Sequence, residues 1–341
     1  MENETKKPVQ LNRRRFLQIV AVAGTTATCW KLGLLGAGKP LQAARRSQPI
    51  MGTILNLTVY GPDRDGCEEA INKSIDMMVM LESHLSRHMK NSELAELNRR
   101  GTLDNPSTHL LKVLTLAEDI SLKTSGAFDV TVLPLLQMHE SIRGNNDHPD
   151  PDNLITTKGL VSFEHLHVGR DRVRFAKDRM GVSLDGIGKG YIVDQGIATL
   201  RNNGFNNVYL EAGGDLMVSG QKDNSSPWRI GLRTPRSQQP HKPIIIKVSD
   251  KAVATSGDYL QAFTPDLRNH HIIDPKSGFS PPELASCTIT APNVALADSL
   301  ATAVMVLGKN DGFELIESLD GCEGYVVDKQ LNHSNTTGFF A

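Results

Sequence analysis

Apolar and polar residues alternate through TILNLTVYG, residues 53–61, as they do in a strand with one buried face. Residues 65–86 change period: Ile71, Ile75, Met78 and Leu85 share one face of a helix. A short helix over 92–98 follows, then a longer one over 106–126 that ends at Gly126. The run RGNNDHPDPDN, residues 143–153, is polar and rich in turn formers, which predicts a surface loop. Beyond it short strands dominate, at 164–168, 172–176, 207–212, 228–232, 244–248, 252–256, 270–273 and 285–291. A helix at 188–202 interrupts them, and a nearly all-apolar helix over 297–308 follows. Strands and helices do not alternate strictly, which argues against a doubly wound parallel sheet. The pattern predicts an α+β fold, with a mixed or antiparallel sheet and helices packed against it.

The last helix, ADSLATAVMVLG, poses a problem of charge. Leu300, Ala301, Ala303, Val304, Met305, Val306 and Leu307 leave almost no wet face, yet Asp298 and Thr302 stand one turn apart on one side. A buried carboxylate without a partner is costly. Either the stripe faces a cation, or Asp298 favours the helix N-terminus while Thr302 bonds back to a carbonyl.

Composition is that of a globular protein: 341 residues, 39% hydrophobic and 22% charged. The net charge of −1 is uneven, because residues 1–43 carry +5 and leave −6 for the rest. An acidic body lacks the basic footprint of a nucleic-acid binder. The basic stretch reads NRRRFLQIVAVAGTTATC, with Arg13, Arg14 and Arg15 directly before Phe16 and an apolar run. It resembles a twin-arginine export signal, which predicts cleavage near Ala43 or Ala44 and a mature domain over 44–341 in the periplasm. Retention as an anchor, with peripheral membrane association, and lipidation at Cys29 stay open. Without the signal, Cys67, Cys287 and Cys322 remain. They show no metal-type spacing and read as packing residues or, at most, one pair.

Four further stretches could carry chemistry. VSLDGIGKGYIVDQG, residues 182–196, reads as a strand, a glycine-rich turn and a helix, an arrangement that presents backbone N–H groups and Lys189 to an anion. It fits neither the P-loop nor the dinucleotide fingerprint, and a plain tight turn would look similar. SGAFDVTVLPLL, residues 125–136, puts Phe128 and Asp129 in a turn where they serve either core and cap or a ligand. NVYLEAGGDLMVSG, residues 207–220, joins a strand to a Gly-Gly-Asp turn suited to close backbone approach. HHIIDPKSGFSP, residues 270–281, places His270 and His271 on opposite faces of a strand before a hairpin turn.

The order of these stretches is more specific than any one of them. MGT, AFDVTV, LDGIGKGY, GGD, ATSGDY, HHIIDPKSG and ADSLATA, in register over residues 50–307, closely resemble the ApbE family, the FAD:protein FMN transferases. The resemblance implies a T-fold-like α+β domain that binds FAD and magnesium. It implies transfer of FMN to a Thr or Ser hydroxyl in a Ser/Thr-Gly-Ala-Ser/Thr motif of another protein, with release of AMP. Carried onto this chain, the metal residues are Gly186, Asp298, Ala301 and Thr302, all through oxygen. The flavin residues are Met51, His88, Ala127, Phe128, Asp129, Lys189 and Ile272, and the base is His271. Two positions depart from the family. His88 stands in place of a tyrosine, and Ser183 stands where an FAD-contacting Asp is expected, with Asp185 facing the other way if the strand continues. The same site would also suit a magnesium-dependent FAD pyrophosphatase or a non-catalytic flavin carrier.

Overall fold

The computed structural model describes residues 41–142, 149–222, 226–236 and 244–341. The twin-arginine stretch and Cys29 lie outside the described residues. The chain enters on β1 (Gln42–Ile50), which pairs along its whole length with β2 (Thr53–Gly61). The expected boundary after residue 43 therefore falls inside a strand whose Ala44 is buried. The turn between the two is Met51–Gly52, both at positive φ, the backbone of a tight two-residue hairpin.

Helices α1 (Arg64–Leu85), α2 (Glu93–Arg100) and α3 (Thr108–Lys123) follow, each started by a side-chain cap from Asp63, Ser92 or Ser107. Between the last two lies β3 (Thr102–Asp104). Next come α4 (Leu133–Ser141) and α5 (Pro151–Lys158). Of the expected loop over 143–153, residues 143–148 lie outside the described residues, and the stretch from Pro151 opens a helix instead. Asp150 caps a helix with Pro151 at its first position, and proline there favours a helix start as readily as a turn.

β4 (Leu166–Val168) and β5 (Arg172–Phe175) join β3 in a small sheet. Then come α6 (Gly188–Asn202), β6 (Asn207–Ala212), β7 (Asp215–Ser219), β8 (Trp228–Leu232), β9 (Ile244–Val248) and β10 (Lys251–Gly257). The chain closes with β11 (Leu284–Ala291), α7 (Val294–Glu317), β12 (Glu323–Asp328) and β13 (His333–Asn335). The main sheet runs β1-β2-β6-β7-β10-β11-β12-β13, and every pair in it is antiparallel.

One face of this sheet carries α1, α6 and α7 over a core that includes Leu57, Met78, Leu210, Leu300 and Met305. The other face is covered by the β8–β9 hairpin, where Trp228, Ile230 and Ile246 meet Leu216, Val218 and Tyr325. β7 lies between the two cores with all five residues buried. A strand buried on both faces shows no alternation, which is why DLMVS does not read as one. At the other end, α7 bends at Gly308, whose φ of 79° only glycine adopts without strain.

Two expected strands are not strands. Residues 180–184 run as buried coil, held by the Asn98 side chain, which donates to the Val182 carbonyl (2.8 Å) and accepts its N–H (2.7 Å). Residues 270–273 make one isolated bridge, from His270 to Ala262. The Ser280 hydroxyl satisfies both backbone groups of His270, each at 2.8 Å. Side chains thus supply the pairing that neighbouring strands would otherwise provide. Cys67, Cys287 and Cys322 are all buried and free, so they are packing residues.

Candidate active site

The problem of Asp298 begins where α6 meets α7. Asn293 caps α7 by accepting from Leu296 N (2.9 Å), and Asp194 of α6 accepts from Val294 N (2.8 Å) and Ala295 N (2.9 Å). Burial pushes Asp194 up to about 6, against the pull of those two N–H groups. The helices touch at Gly190, where a Cβ would lie 2.6 Å from the Val294 carbonyl oxygen. The glycine-rich stretch is therefore partly a device for close helix packing. Its effect is to bring the Gly190 N–H to Asp298 Oδ2 at 3.3 Å.

Among the described residues, that is the one hydrogen bond the buried Asp298 carboxylate accepts. Lys189 points to the same niche but pairs with Asp215, Nζ to Oδ2 at 2.5 Å. Two carboxylates thus share one ammonium, a net charge of −1 when all are ionised. Burial and the Asp215 charge raise the Asp298 pKa well above the carboxylate range. Burial disfavours the Lys189 ammonium, but Asp215 and Asp298 outweigh it and raise its pKa.

One turn along α7, Thr302 Oγ1 lies 3.3 Å from Ser256 Oγ at the end of β10. A Cβ on Gly186 would sit 2.9 Å from Thr302 Oγ1 and 3.4 Å from the Phe128 ring. Gly186, Thr302, Ser256 and Phe128 therefore meet at one point. Ala301 is fully buried beside them, and each backbone carbonyl keeps a lone pair beyond its helical bond. The expected metal residues other than Ala301 are thus tied by direct contacts to the α6–α7 junction or to Ser256.

The expected flavin residues divide. Ala127 and Phe128 are turned inward by the left-handed pair Ser125–Gly126 that ends α3. Asp129 has both oxygens engaged: Oδ1 accepts from Thr131 N (2.8 Å) and Oγ1 (2.7 Å), and Oδ2 from Phe163 N (2.8 Å). Its carboxylate holds the turn that carries Phe128. Met51 occupies the β1–β2 turn at φ 50°, with its N–H on Glu82 Oε2 at 3.1 Å. His88 is exposed in the turn after α1, and Ile272 is buried beside His271. Of the two unusual positions, Ser183 is buried and its Oγ accepts from Asp185 N (3.2 Å). Asp185 is exposed and pairs with Arg87 at 2.9 Å.

His270 and His271 do not face opposite ways as they would on a strand; their ring centroids are 6.4 Å apart. His271 is half-buried, its Nδ1 has no hydrogen-bond partner among the described residues, and burial pushes its pKa down to about 4. The Gln261 backbone opposes that shift most, followed by Asp185, while Lys189 adds to it. The imidazole is therefore neutral at physiological pH and free to accept a proton. His270 is fully buried and pushed down to about 3, first by burial and then by Lys329. Near it the Arg236 guanidinium grips Asp258 with two bonds of 2.7 Å, and Lys329 closes on the same carboxylate.

Asp215 and Ser256 were not among the residues expected from sequence, although both lie in stretches that stood out, GGD and ATSGDY. An acidic residue opening an otherwise apolar strand, DLMVS, was the available signal for Asp215. For Ser256, whose partner is 46 residues away on another element, there was none.

Comparison with known proteins identifies the family. The model of the ApbE family matches residues 51–326. The FAD:protein FMN transferase of Vibrio cholerae is 31% identical over 84% of this chain and 87% of its own. That of Haemophilus influenzae is 28% identical over 87% and 90%. Among solved structures, the flavin transferase ApbE from Vibrio cholerae superposes with a TM-score of 0.76 at 28% identity, covering 88% of this chain and 99% of that one. The ApbE protein of Thermotoga maritima, 24% identical with a TM-score of 0.79 over 88% and 100%, shares the fold. With its family model spanning most of the described residues, this chain belongs to the ApbE family.

Proposed function

We propose that this protein transfers FMN from FAD to a Ser or Thr hydroxyl of an acceptor protein through a phosphoester bond, releasing AMP, with Mg²⁺ as cofactor. The observation that carries this reading is the charge of the niche: two buried carboxylates, Asp215 and Asp298, on the single ammonium of Lys189. The family's curated relatives bear the matching name.

The donor set suits a hard cation. Among the described residues no three His, Cys, Asp or Glu side chains gather as a metal cluster, which disfavours a transition-metal centre. Magnesium is held instead by one or two carboxylates, neutral oxygens and substrate phosphates. Asp298, the Thr302 hydroxyl and the carbonyls of Gly186 and Ala301 would supply the protein's share. When bound, the ion neutralises charge on the pyrophosphate and steadies the leaving AMP. Lys189 binds phosphate oxygens, and Phe128 and Ile272 bound the flavin side. His271 takes the proton from the acceptor hydroxyl as its oxygen bonds to the FMN phosphorus and the bond to AMP breaks.

Incubation of the purified protein with FAD, Mg²⁺ and a Ser/Thr-Gly-Ala-Thr acceptor tests this. Flavin fluorescence that stays with the denatured acceptor supports transfer. Free FMN without labelling would make the protein a pyrophosphatase, and unchanged FAD a carrier.

We also propose export by the twin-arginine route to the periplasm, on the strength of Arg13, Arg14 and Arg15. Among the described residues no helix is long and apolar enough to cross a membrane. Changing the three arginines to lysine should retain the protein in the cytoplasm.

A further inference from the structure

Lys189 is ion-paired with one of the buried carboxylates whose charges act on it. Its Nζ pairs with Asp215, whereas no ion pair joins it to Asp298 among the described residues, although both carboxylates act on it. Asp215 is held in place for this. It follows the Gly213–Gly214 turn, both glycines at positive φ, and is the first residue of β7, opposite Ala212. It is 2% exposed. Glu211, the other carboxylate acting on Lys189, is already engaged by Asn56 Nδ2 (2.7 Å) and Gly214 N (2.7 Å).

A lysine has a flexible four-carbon stem and a compact charge, so a freed Lys189 could turn to the next carboxylate. Opposite unit charges at ion-pair distance attract far more strongly in a buried niche than in water. An ammonium seated on Asp298 would therefore compete strongly with a cation for the same oxygens.

We propose that Asp215 is a positioning residue: by holding the Lys189 ammonium it keeps the Asp298 carboxylate open for the divalent cation. This rests on Asp298 being a cation ligand, as proposed above. It explains why the niche contains a second acid that lies on a different element from Asp298 and Thr302.

The test is a calorimetric titration of Mg²⁺ into the full chain without FAD, with a thermal melt of each variant. Asp215→Asn, nearly the same shape, should weaken Mg²⁺ binding by about 10–100-fold, the usual cost of losing an outer-shell partner. Adding Lys189→Met to Asp215→Asn should bring the affinity back to near that of the parent, because the competitor is gone. Lys189→Met alone should bind Mg²⁺ at least as tightly as the parent. A purely structural Asp215 would give no such rescue. The proposal is overturned if Asp215→Asn binds like the parent, if the double variant stays as weak as the single, or if Lys189→Met alone binds more weakly. Should Asp215→Asn fail to fold, the Lys189→Met result still decides. A parent that takes up no Mg²⁺ overturns the cation assignment itself, and this proposal with it.

Discussion

Two buried carboxylates of this protein sit in opposite charge balances. Asp258 is gripped by two cations, Arg236 and Lys329, and its pKa is held below the ordinary value by them despite burial. Asp298 shares one ammonium with Asp215, and burial and that second acid raise its pKa. The first cluster is complete, with every acid oxygen bonded to a cation. The second is short of positive charge. Both acids are buried, so what distinguishes the two clusters is the sign of the residual charge.

The largest effects should come from removing each acid in turn. Asp258→Ala leaves two cations in a partly buried place and should cost about 3–5 kcal/mol of stability, read by denaturant unfolding. Asp298→Ala should abolish transfer while leaving stability equal or higher, because Ala suits the apolar helix and removes an uncompensated charge. If the two variants lost stability alike, the contrast would fail.

Next in size is His271→Asn, which should lower the transfer rate by about two to four orders of magnitude while FAD binding is kept. An unperturbed histidine would give an acid limb near 6.5. With the pKa pushed down to about 4, the limb should move with it. Transfer at saturating FAD and Mg²⁺ should therefore hold from neutral pH to about 5, then fall as His271 takes its own proton.

The two acids should also give stability opposite dependences on pH. Asp258, with its folded pKa below 3.8, contributes stability present above 3.8 and lost as pH falls through the folded value. Asp298, raised above 3.8, favours the folded state at low pH and loses that contribution as pH rises through its folded value. In chelator, Asp298→Asn should accordingly stabilise near pH 7 and do nothing at pH values below the ordinary carboxyl pKa of 3.8, whereas the Asp258→Ala penalty should shrink there. Smallest is Lys329→Met, which leaves the two-bonded Arg236 in place. We expect about 1–2 kcal/mol by thermal melt.

This contrast was only half legible in the sequence. Asp298 stood out because an acid in an apolar helix demands an explanation, and the period of Ile71, Ile75 and Met78 identified their helix unaided. Of the charges around Asp298, Lys189 stood out but Asp215 did not. Asp215 opens a strand buried on both faces, so DLMVS carries no alternation, and its pairing with Lys189 spans two elements. The register of His270 and His271 was misplaced for a related reason: a serine hydroxyl, not a neighbouring strand, satisfies that backbone. Strands β1, β3, β12 and β13 were missed as well. Short or edge strands such as HSN, residues 333–335, have too few residues to show a period.

The central claim is that the Asp298 niche is short of positive charge because a divalent cation completes it during transfer. The most direct measurement is covalent flavin formed on an acceptor as Mg²⁺ is titrated, for the parent and for Asp298→Asn. The account predicts a saturable Mg²⁺ dependence in the parent that disappears in the variant, together with the loss of transfer. A variant that labels the acceptor with the parent's Mg²⁺ dependence would contradict it.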